Sequence, residues 1–243
     1  MVIANRLHLP TTTSTMDVAA QSIREGAPHL MLITADEQLV ARGRLGRMWT
    51  TLPGHALAAT WITRNTPTQH LALVASLAVI DALKLAAPDV PAVIKWPNDI
   101  YIKGKKLAGI LVETHGQGSA AIGIGLNVTT PAQLPEGFPG TTVAQHTANP
   151  PTPEKLLDIL NTCISQRVAL YQAQGWLAVA PDYTALCITL GKHVRLQLAD
   201  GTTVLPATVN ALNPDGSLDV VTHADNRHIT VTNADKVFHD YLS

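Results

Sequence analysis

The chain has 243 residues, of which 46% are hydrophobic and 14% charged, and its net charge is −1. This length and apolar content allow a sizeable core, in one large domain or in a large and a small one. The near-neutral charge excludes a protein held on nucleic acid or on an anionic membrane by its overall field. No segment offers about 18 uninterrupted apolar residues, so we expect a cytoplasmic protein without a membrane span.

Cysteine and histidine usage gives no sign of a metal framework. Cys163 and Cys187 lie far apart and form no CxxC pair, which suits a reducing compartment. The ten histidines lack the paired spacing that is typical of metal ligands.

The N-terminal half alternates between predicted helices and strands. Ser14 and Thr15 precede an amphipathic stretch that ends at Gly26, which predicts a helix capped by one of the two hydroxyls. A hydroxyl cap is routine, although the free N–H groups at such a helix start also suit a small polar ligand. Strands are predicted at 30–34, 56–62, 92–96, 100–102, 107–112 and 120–128, and the apolar segment 69–86 predicts a helix buried against a sheet.

After this region the pattern changes twice. Residues 129–153 are rich in Pro, Gly and Thr and predict an irregular connection, after which Thr152-Pro153 begins a helix that ends near Gly175. Four short strands then follow, at 194–198, 203–209, 217–222 and 227–232, which predicts a small β-barrel. We therefore expect an α/β (α+β) fold, with a mixed sheet and helices packed on one face in residues 1–189, and a C-terminal barrel in residues 190–243.

A basic loop with the sequence RGRLGR, residues 42–47, is the strongest functional signal, and Trp49 follows it. Glycine lets a backbone close over a ligand, and guanidinium groups bind carboxylates and phosphates through paired hydrogen bonds. Ordering about ten residues costs roughly 10 kcal/mol of backbone entropy, whereas each charge-assisted hydrogen bond returns about 1.5 to 3 kcal/mol. Three arginines offset most of that cost only if a multiply charged anion engages them all. We expect a mobile loop that orders around such an anion, with a nucleoside triphosphate as the natural candidate.

The common nucleotide-binding signatures are absent. No Gly-x-x-x-x-Gly-Lys-Ser/Thr loop occurs, and the run Gly123-Ile124-Gly125 has Val128 where a dinucleotide fingerprint needs its third glycine. Lys106 opens the apolar strand 107–112, so its ammonium should carry more field than a surface charge. Gly109 in that strand is costly unless something approaches the backbone closely, and a flat ligand on the sheet would explain it.

Several motifs together resemble the biotin protein ligases. They are Ser14-Thr15, Gln38, the loop from Arg42 to Trp49, the segment KWPND at 95–99, and the runs 106–111 and 122–127. The resemblance is strong over residues 11–128 and weaker in the C-terminal region, for which it implies an SH3-like β-barrel. It implies a ligase that uses ATP and Mg²⁺ to activate biotin as biotinyl-5′-AMP, and that transfers biotin to a lysine of a biotin carboxyl carrier protein.

The resemblance also implies roles for individual residues. Biotin would be bound by Ser14, Thr15, Gln38, Arg42, Arg44, Lys106 and Gly109, and ATP by Arg47, Trp49, Asn98, Asp99, Lys106 and Asn127. Lys106, Arg47 and Arg44 would be catalytic, because cations must neutralise the charge that grows as a carboxylate approaches a phosphate. Asp99 would bind the metal. Two alternatives stay open: Trp49 as a core anchor, and Asp99 as a turn residue after Pro97.

Other features of the resemblance leave alternatives. Ala41 stands where the family usually has glycine, and Leu45 stands where a basic residue is common. These two departures put in doubt how the loop orders and how fast the reaction runs, more than whether the chain resembles the family. Many biotin protein ligases carry an N-terminal helix-turn-helix domain that binds DNA, whereas the motifs here begin by residue 11. The resemblance is therefore to the form without that domain, and we expect no sequence-specific DNA binding; a homodimer is one option for the oligomeric state. A lipoate or octanoate ligase or transferase of the same fold, or a non-catalytic biotinyl-adenylate-binding protein, would be the alternative functions.

Overall fold

The computed structural model describes residues 5–44, 49, 52–116, 118–198, 201–232 and 237–239. The helices are α1 (Thr15–Arg24), α2 (Leu71–Ala86), α3 (Pro153–Gln174) and α4 (Ala180–Leu186). Seven strands precede α3: β1 (Arg6–Thr12), β2 (Leu32–Gln38), β3 (Ala56–Thr63), β4 (Val93–Lys95), β5 (Asp99–Ile102), β6 (Lys105–Thr114) and β7 (Ala120–Asn127). Five follow α4: β8 (His193–Gln197), β9 (Val204–Leu212), β10 (Leu218–Thr222), β11 (His228–Val231) and β12 (Val237–His239). In the described ranges, no helix has both the length and the apolarity to cross a membrane.

The first seven strands form one mixed sheet in the order β1-β2-β3-β7-β6-β5-β4. β1 and β2 run parallel, and the other neighbours run antiparallel. The predicted mixed sheet is therefore confirmed. β1 was not predicted; it lies at the edge of the sheet, where Pro10 is tolerated because an edge strand need not bond on both sides.

Helices cover both faces of this sheet. The two long helices, α2 and α3, share one face, where Trp61 of β3 is buried and its Nε1 donates to Asn161 of α3 at 2.8 Å. α1 packs on the opposite face, where Met16 joins Ile33 and Ile62 in a separate apolar cluster. Packing on one face, as predicted, thus holds for the long helices but not for α1. Alternate side chains of β3 point to opposite faces, so one strand supplies both layers.

The predicted start of α1 and both predicted ends of α3 are confirmed. Ser14 is the N-cap of α1, and its Oγ accepts from the Met16 N–H at 3.3 Å. Thr152 caps α3 in the same way, and that helix ends at Gly175, whose φ of 74° lies in the left-handed region that favours glycine.

The C-terminal strands form a second, antiparallel sheet in the order β11-β10-β9-β8-β12. A small C-terminal β unit is therefore confirmed, with β12 as a fifth strand that was not predicted; α4 was not predicted either. Buried residues of this sheet, such as Val194 and Val220, belong to the same apolar cluster as α2 and α3. The domain boundary at residue 189 stays a prediction.

Candidate active site

A cavity of about 510 Å³ lies over the α1 face of the seven-stranded sheet. It brings together most of the predicted site residues: Ser14, Thr15, Gln38, Arg42, Arg44, Trp49, Asn98, Asp99, Lys106 and Gly109. Asn127 is not among the lining residues. Arg47 lies outside the described residues, as do Leu45 and Gly46.

One end of the cavity, here called the neutral end, consists of Ser14, Thr15 and Gln38. The Gln38 side-chain oxygen accepts from the Thr15 N–H at 2.8 Å and from its hydroxyl at 3.1 Å. Thr60 of β3 donates a third hydrogen bond to the Thr15 hydroxyl at 2.8 Å. These groups hold one another in place without any ligand, so the neutral end is preorganised for a small polar group.

The other end, here called the charged end, consists of Lys95, Asp99 and Lys106. The Lys106 ammonium lies 2.7 Å from a carboxylate oxygen of Asp99, and Lys95 faces Asp99 across the β4–β5 pair. Burial lowers the pKa of Lys95, and the charge of Lys106 lowers it further, while Asp99 raises it. Because one carboxylate is shared by two ammonium groups, the charged end has a net positive charge and favours an anion.

The strand order separates the two ends. Gln38 ends β2 and Asp99 begins β5, which lies four strands away in the sheet. Neighbouring strands are about 4.8 Å apart, so the strand positions of Gln38 and Asp99 are separated by roughly 19 Å across the sheet. The cavity is therefore suited to an elongated ligand, or to two ligands placed end to end.

Glycines form the floor between the two ends. Gly109 of β6 pairs with Gly125 of β7, and on its other side it pairs with Asp99. A Cβ at Gly109 would lie 3.1 Å from the Lys106 Nζ, and one at Gly125 would lie 2.6 Å from the Trp49 indole. The close approach expected at Gly109 is present, but the approaching groups are the chain's own Lys106 and Trp49. Trp49 thus lies in the cavity, with the Lys106 ammonium 5.2 Å from its ring centroid.

The described arginines of the basic loop already have partners within the chain. Arg42 donates to both carboxylate oxygens of Glu113, at 3.1 and 3.2 Å, and to Asp17 at 2.6 Å. These hydrogen bonds raise the pKa of Arg42. The expectation that all three arginines require an external anion is therefore wrong for Arg42. Arg44 lies nearer the charged end, with a guanidinium nitrogen 3.5 Å from the Asn98 side-chain oxygen.

The two predicted asparagines differ in their surroundings. The Asn98 amide donates to the backbone oxygen of Ile110, and the Ile110 N–H donates to the Asn98 backbone oxygen at 2.9 Å, which ties β5 to β6. Asn127 donates to the backbone oxygen of Thr141 at 3.0 Å. Its own side-chain oxygen is buried and has no hydrogen-bond partner among the described residues. A buried acceptor left unpaired costs about 1 to 3 kcal/mol, so a donor on a ligand would stabilise it.

Sequence reasoning missed two cations that line the cavity, Lys95 and Arg195. Lys95 could have been found, because it begins the segment KWPND that was singled out. Arg195 lies on β8 of the second sheet, and no local pattern connects it with residues about a hundred positions earlier.

No group of three or more His, Cys, Asp or Glu side chains that could hold a metal ion occurs within the described ranges. The predicted metal ligand, Asp99, forms an ion pair with Lys106, and its binding of a metal stays a prediction.

Comparisons with known proteins are consistent with this geometry. Residues 9–128 match the model of the biotin/lipoate A/B protein ligase family. The biotin--[acetyl-CoA-carboxylase] ligase of Paracoccus denitrificans is 32% identical over 195 residues, which are 75% of this chain and 81% of that protein. The bifunctional ligase/repressor BirA of Bacillus subtilis is 30% identical over 78% of this chain, but the match spans only 62% of that protein's length.

Among solved structures, the biotin protein ligase of Aquifex aeolicus in complex with biotin and ATP superposes with a TM-score of 0.79. It is 26% identical, and the match covers 93% of this chain and 95% of that one. The chain therefore belongs to the biotin/lipoate A/B protein ligase family and, within it, to the biotin protein ligases.

Proposed function

We propose that this chain is an ATP-dependent ligase that activates biotin as biotinyl-5′-AMP and transfers it to a lysine of a biotin carboxyl carrier protein. The observation that carries this proposal is a single cavity in which a neutral end and a charged end are joined by a glycine floor. Relatives are named biotin ligases, and the Aquifex structure contains both biotin and ATP.

The neutral end is assigned to the ureido head of biotin. Its hydroxyl and amide groups are fixed by their mutual hydrogen bonds, so little side-chain entropy is lost when an uncharged polar ring binds there. The valeryl chain would then run over the floor at Gly109, which directs the biotin carboxylate toward Arg44 and Lys106. Arg42 borders this path but is already neutralised by Asp17 and Glu113, so its role is to hold the loop against the sheet.

The charged end is assigned to the reacting phosphates of ATP. A carboxylate oxygen of biotin bonds to the α-phosphorus, the bond from that phosphorus to the bridging oxygen breaks, and pyrophosphate leaves. Lys106 lies where negative charge grows in this step, and one such group typically lowers the barrier by about 3 kcal/mol. Lys95 and Arg195 extend the positive surface and suit the departing pyrophosphate. The resemblance assigns Arg47 to the same phosphates.

The adenine is assigned to Trp49 and Asn127. The Trp49 indole offers an aromatic surface inside the cavity, and the unpaired oxygen of Asn127 offers a buried acceptor for an exocyclic amine. Asn127 does not line the cavity and its amide donates to the Thr141 backbone oxygen, so the chain around Asn127 would have to move for its oxygen to meet the adenine.

Mg²⁺ fits the charged end through Asp99. This ion usually binds proteins through one or two carboxylates and takes its remaining ligands from water and substrate phosphates. When bound, it would share the neutralisation of the triphosphate with Lys106. Asp99 would then exchange part of its ion pair with Lys106 for the metal.

In the second half-reaction, the amine of the carrier lysine bonds to the acyl carbon of the adenylate, AMP leaves, and a proton is released.

Cytoplasmic localisation, a homodimer and the lack of sequence-specific DNA binding belong to the same proposal. A gel-shift titration at physiological salt that revealed a preferred operator would contradict the last of these.

The decisive experiment is mass spectrometry of a biotin carboxyl carrier domain incubated with the chain, ATP and biotin. We expect a mass gain equal to one biotinyl group on one lysine. Pyrophosphate release is also measured in parallel reactions with biotin, with lipoate and with no acid. These reactions distinguish a biotin ligase from a lipoate ligase and from a protein that binds without turnover. Equal release with lipoate, or no release with any acid, would overturn the proposal.

A further inference from the structure

The turn between β9 and β10 is closed by hydrogen bonds between its own residues. Residues 213–217 are here called the C-terminal turn. Two backbone hydrogen bonds close it: the Asn213 N–H donates to the Ser217 backbone oxygen at 2.8 Å, and the Gly216 N–H donates to the Asn213 backbone oxygen at 2.9 Å. The Asp215 carboxylate accepts from the Ser217 N–H at 3.0 Å and from its hydroxyl. Such aspartate-to-backbone bonds fix the shape of a turn independently of what it touches.

Two backbone oxygens of this turn accept hydrogen bonds from the first 189 residues. The Trp96 indole Nε1 donates to the Gly216 oxygen at 2.9 Å in a buried contact. The His70 Nε2 lies 3.0 Å from the Asp215 oxygen. A carbonyl oxygen only accepts, so the proton of His70 must be on Nε2. The His70 ring also stacks on Trp176, with centroids 5.0 Å apart and planes 7° from parallel.

The turn fits against α2 with no space to spare. Gly216 has a φ of +80°, and a Cβ there would lie 2.8 Å from Leu73 Cδ1 and 3.0 Å from His70 Cδ2. Leu73 is buried, so its side chain cannot move aside into solvent. Glycine is thus required at position 216 for two reasons: the left-handed backbone conformation, and the close contact with Leu73 and His70.

Trp96 connects this contact to the charged end. It is 3% exposed and lines the cavity, and the next residues along the chain are Pro97, Asn98 and Asp99. The same segment is held from the other side, because the Tyr183 hydroxyl donates to the Pro97 oxygen at 3.0 Å. A shift of Trp96 would therefore move Asp99 relative to Lys106. The neutral end lies at the start of α1 and the end of β2, and no hydrogen bond between described residues joins it to this segment.

We propose that the C-terminal turn is a positioning element for the charged end: it holds the indole of Trp96 and thereby sets where Asn98 and Asp99 stand beside Lys106. Gly216 and His70 do not line the cavity, so they act through Trp96. The inference rests on the proposed function and adds to it a specific link, because the second sheet contributes to nucleotide chemistry and not to biotin binding.

Gly216→Ala and Gly201→Ala form a matched pair for the test. Gly201 lies in the β8–β9 turn of the same sheet with a φ of +74°, but a Cβ there would meet nothing within 4 Å. Both variants carry the cost of an L-residue in the left-handed region. Only Gly216→Ala pushes on Leu73 and His70. We expect similar losses of stability in urea, with kcat for biotin-dependent pyrophosphate exchange reduced at least tenfold in Gly216→Ala alone and KM for biotin within twofold of the original protein.

The kinetic split decides the outcome. Equal kcat in the two variants, or a rise in KM for biotin that matches the fall in kcat, would overturn the positioning role. If Gly216→Ala does not fold, Trp96→Phe replaces it, because phenylalanine keeps a ring but removes the donor to Gly216, and the same split is expected. Adding Leu73→Val to Gly216→Ala removes the clashing Cδ1 and should restore part of kcat. Absence of exchange in the original protein would overturn the proposed function, and this inference with it; normal exchange with equal variants overturns this inference alone.

Discussion

At the neutral end of the cavity, Gln38, Thr15 and Thr60 bond to one another through uncharged groups, whereas at the charged end Lys106 and Asp99 meet as an ion pair 2.7 Å apart. Thr15 and Thr60 are buried, while Lys106 and Asp99 keep 32% and 24% of their side-chain surface exposed. Partly exposed ion pairs contribute little to stability, about 0 to 1 kcal/mol.

The difference shows what each end is built for. Buried neutral hydrogen bonds each contribute about 0.5 to 1.5 kcal/mol and fix a shape, so the neutral end belongs both to the fold and to the site. The charged end adds little to folding and leaves positive charge uncompensated, so its residues are explained by a ligand. Changes at the two ends should therefore affect different steps.

The largest expected effect is at the charged end. Lys106→Ala should lower the rate of biotinyl-5′-AMP formation by roughly a hundredfold, because it removes one cation from the growing negative charge. Lys105→Ala is the control, since Lys105 is the neighbouring residue in β6 and is exposed. Single-turnover formation of the adenylate measures the effect, and circular dichroism checks the fold. Rates within threefold of each other in the two variants would contradict the assignment of Lys106.

A smaller effect is expected at the neutral end. Gln38→Ala removes the acceptor of both the Thr15 N–H and its hydroxyl, which leaves two donors of a buried residue unpaired, at a cost of about 1 to 3 kcal/mol each. KM for biotin should rise about tenfold while kcat stays nearly constant, because this interaction is the same in the ground state and the transition state. Gln21→Ala, on the exposed side of α1, should change neither constant. If Gln38→Ala lowered kcat and left KM for biotin unchanged, the claim that the two ends of the cavity affect different steps would be contradicted.

The smallest effect concerns pH. In the part of the chain that the structure describes, no titratable group bonds to Thr15 or Gln38 at the neutral end. The charged end, by contrast, is connected through Trp96 to the turn that His70 contacts. Burial lowers the pKa of His70 below its ordinary value of 6.5. The unfolded chain then binds the proton more readily, so the stability that His70 contributes is complete above about pH 6.5 and is lost as the pH falls below it.

Urea denaturation between pH 8 and 5 measures this loss. His70→Asn should show a flatter decline of the unfolding free energy than the original protein over that range. His29 and His146, whose pKa values burial also lowers, contribute equally to both proteins and cancel in the comparison. An identical decline in both proteins would show that His70 stays uncharged, or equally charged, in the folded and unfolded states.

Predictions from sequence worked where the signal was local. Ser14 before an apolar stripe predicted the start of α1, and Thr152-Pro153 with Gly175 predicted both ends of α3, because a cap needs only the residues beside it. β1 was missed because Pro10 interrupts its pattern, and its partner β2 is more than twenty residues away. Most of the predicted site residues line one cavity, but Asn127 does not line it, and its side-chain amide donates to the backbone oxygen of Thr141.

The sequence by itself determined the chemistry available to this protein: a helix start with two hydroxyls, arginines among glycines, and a lysine at the head of an apolar strand. Only the tertiary structure decided which of these groups contact one another, because charged residues that are distant in sequence come together only when their strands pair. In the folded chain, Arg42 forms hydrogen bonds with Asp17 and Glu113, and Trp49 packs against Gly125. Arg195 of the second sheet lines the cavity. Charge and hydrogen-bonding capacity belong to single residues, whereas distance and burial arise only when the sheet and its two layers have formed.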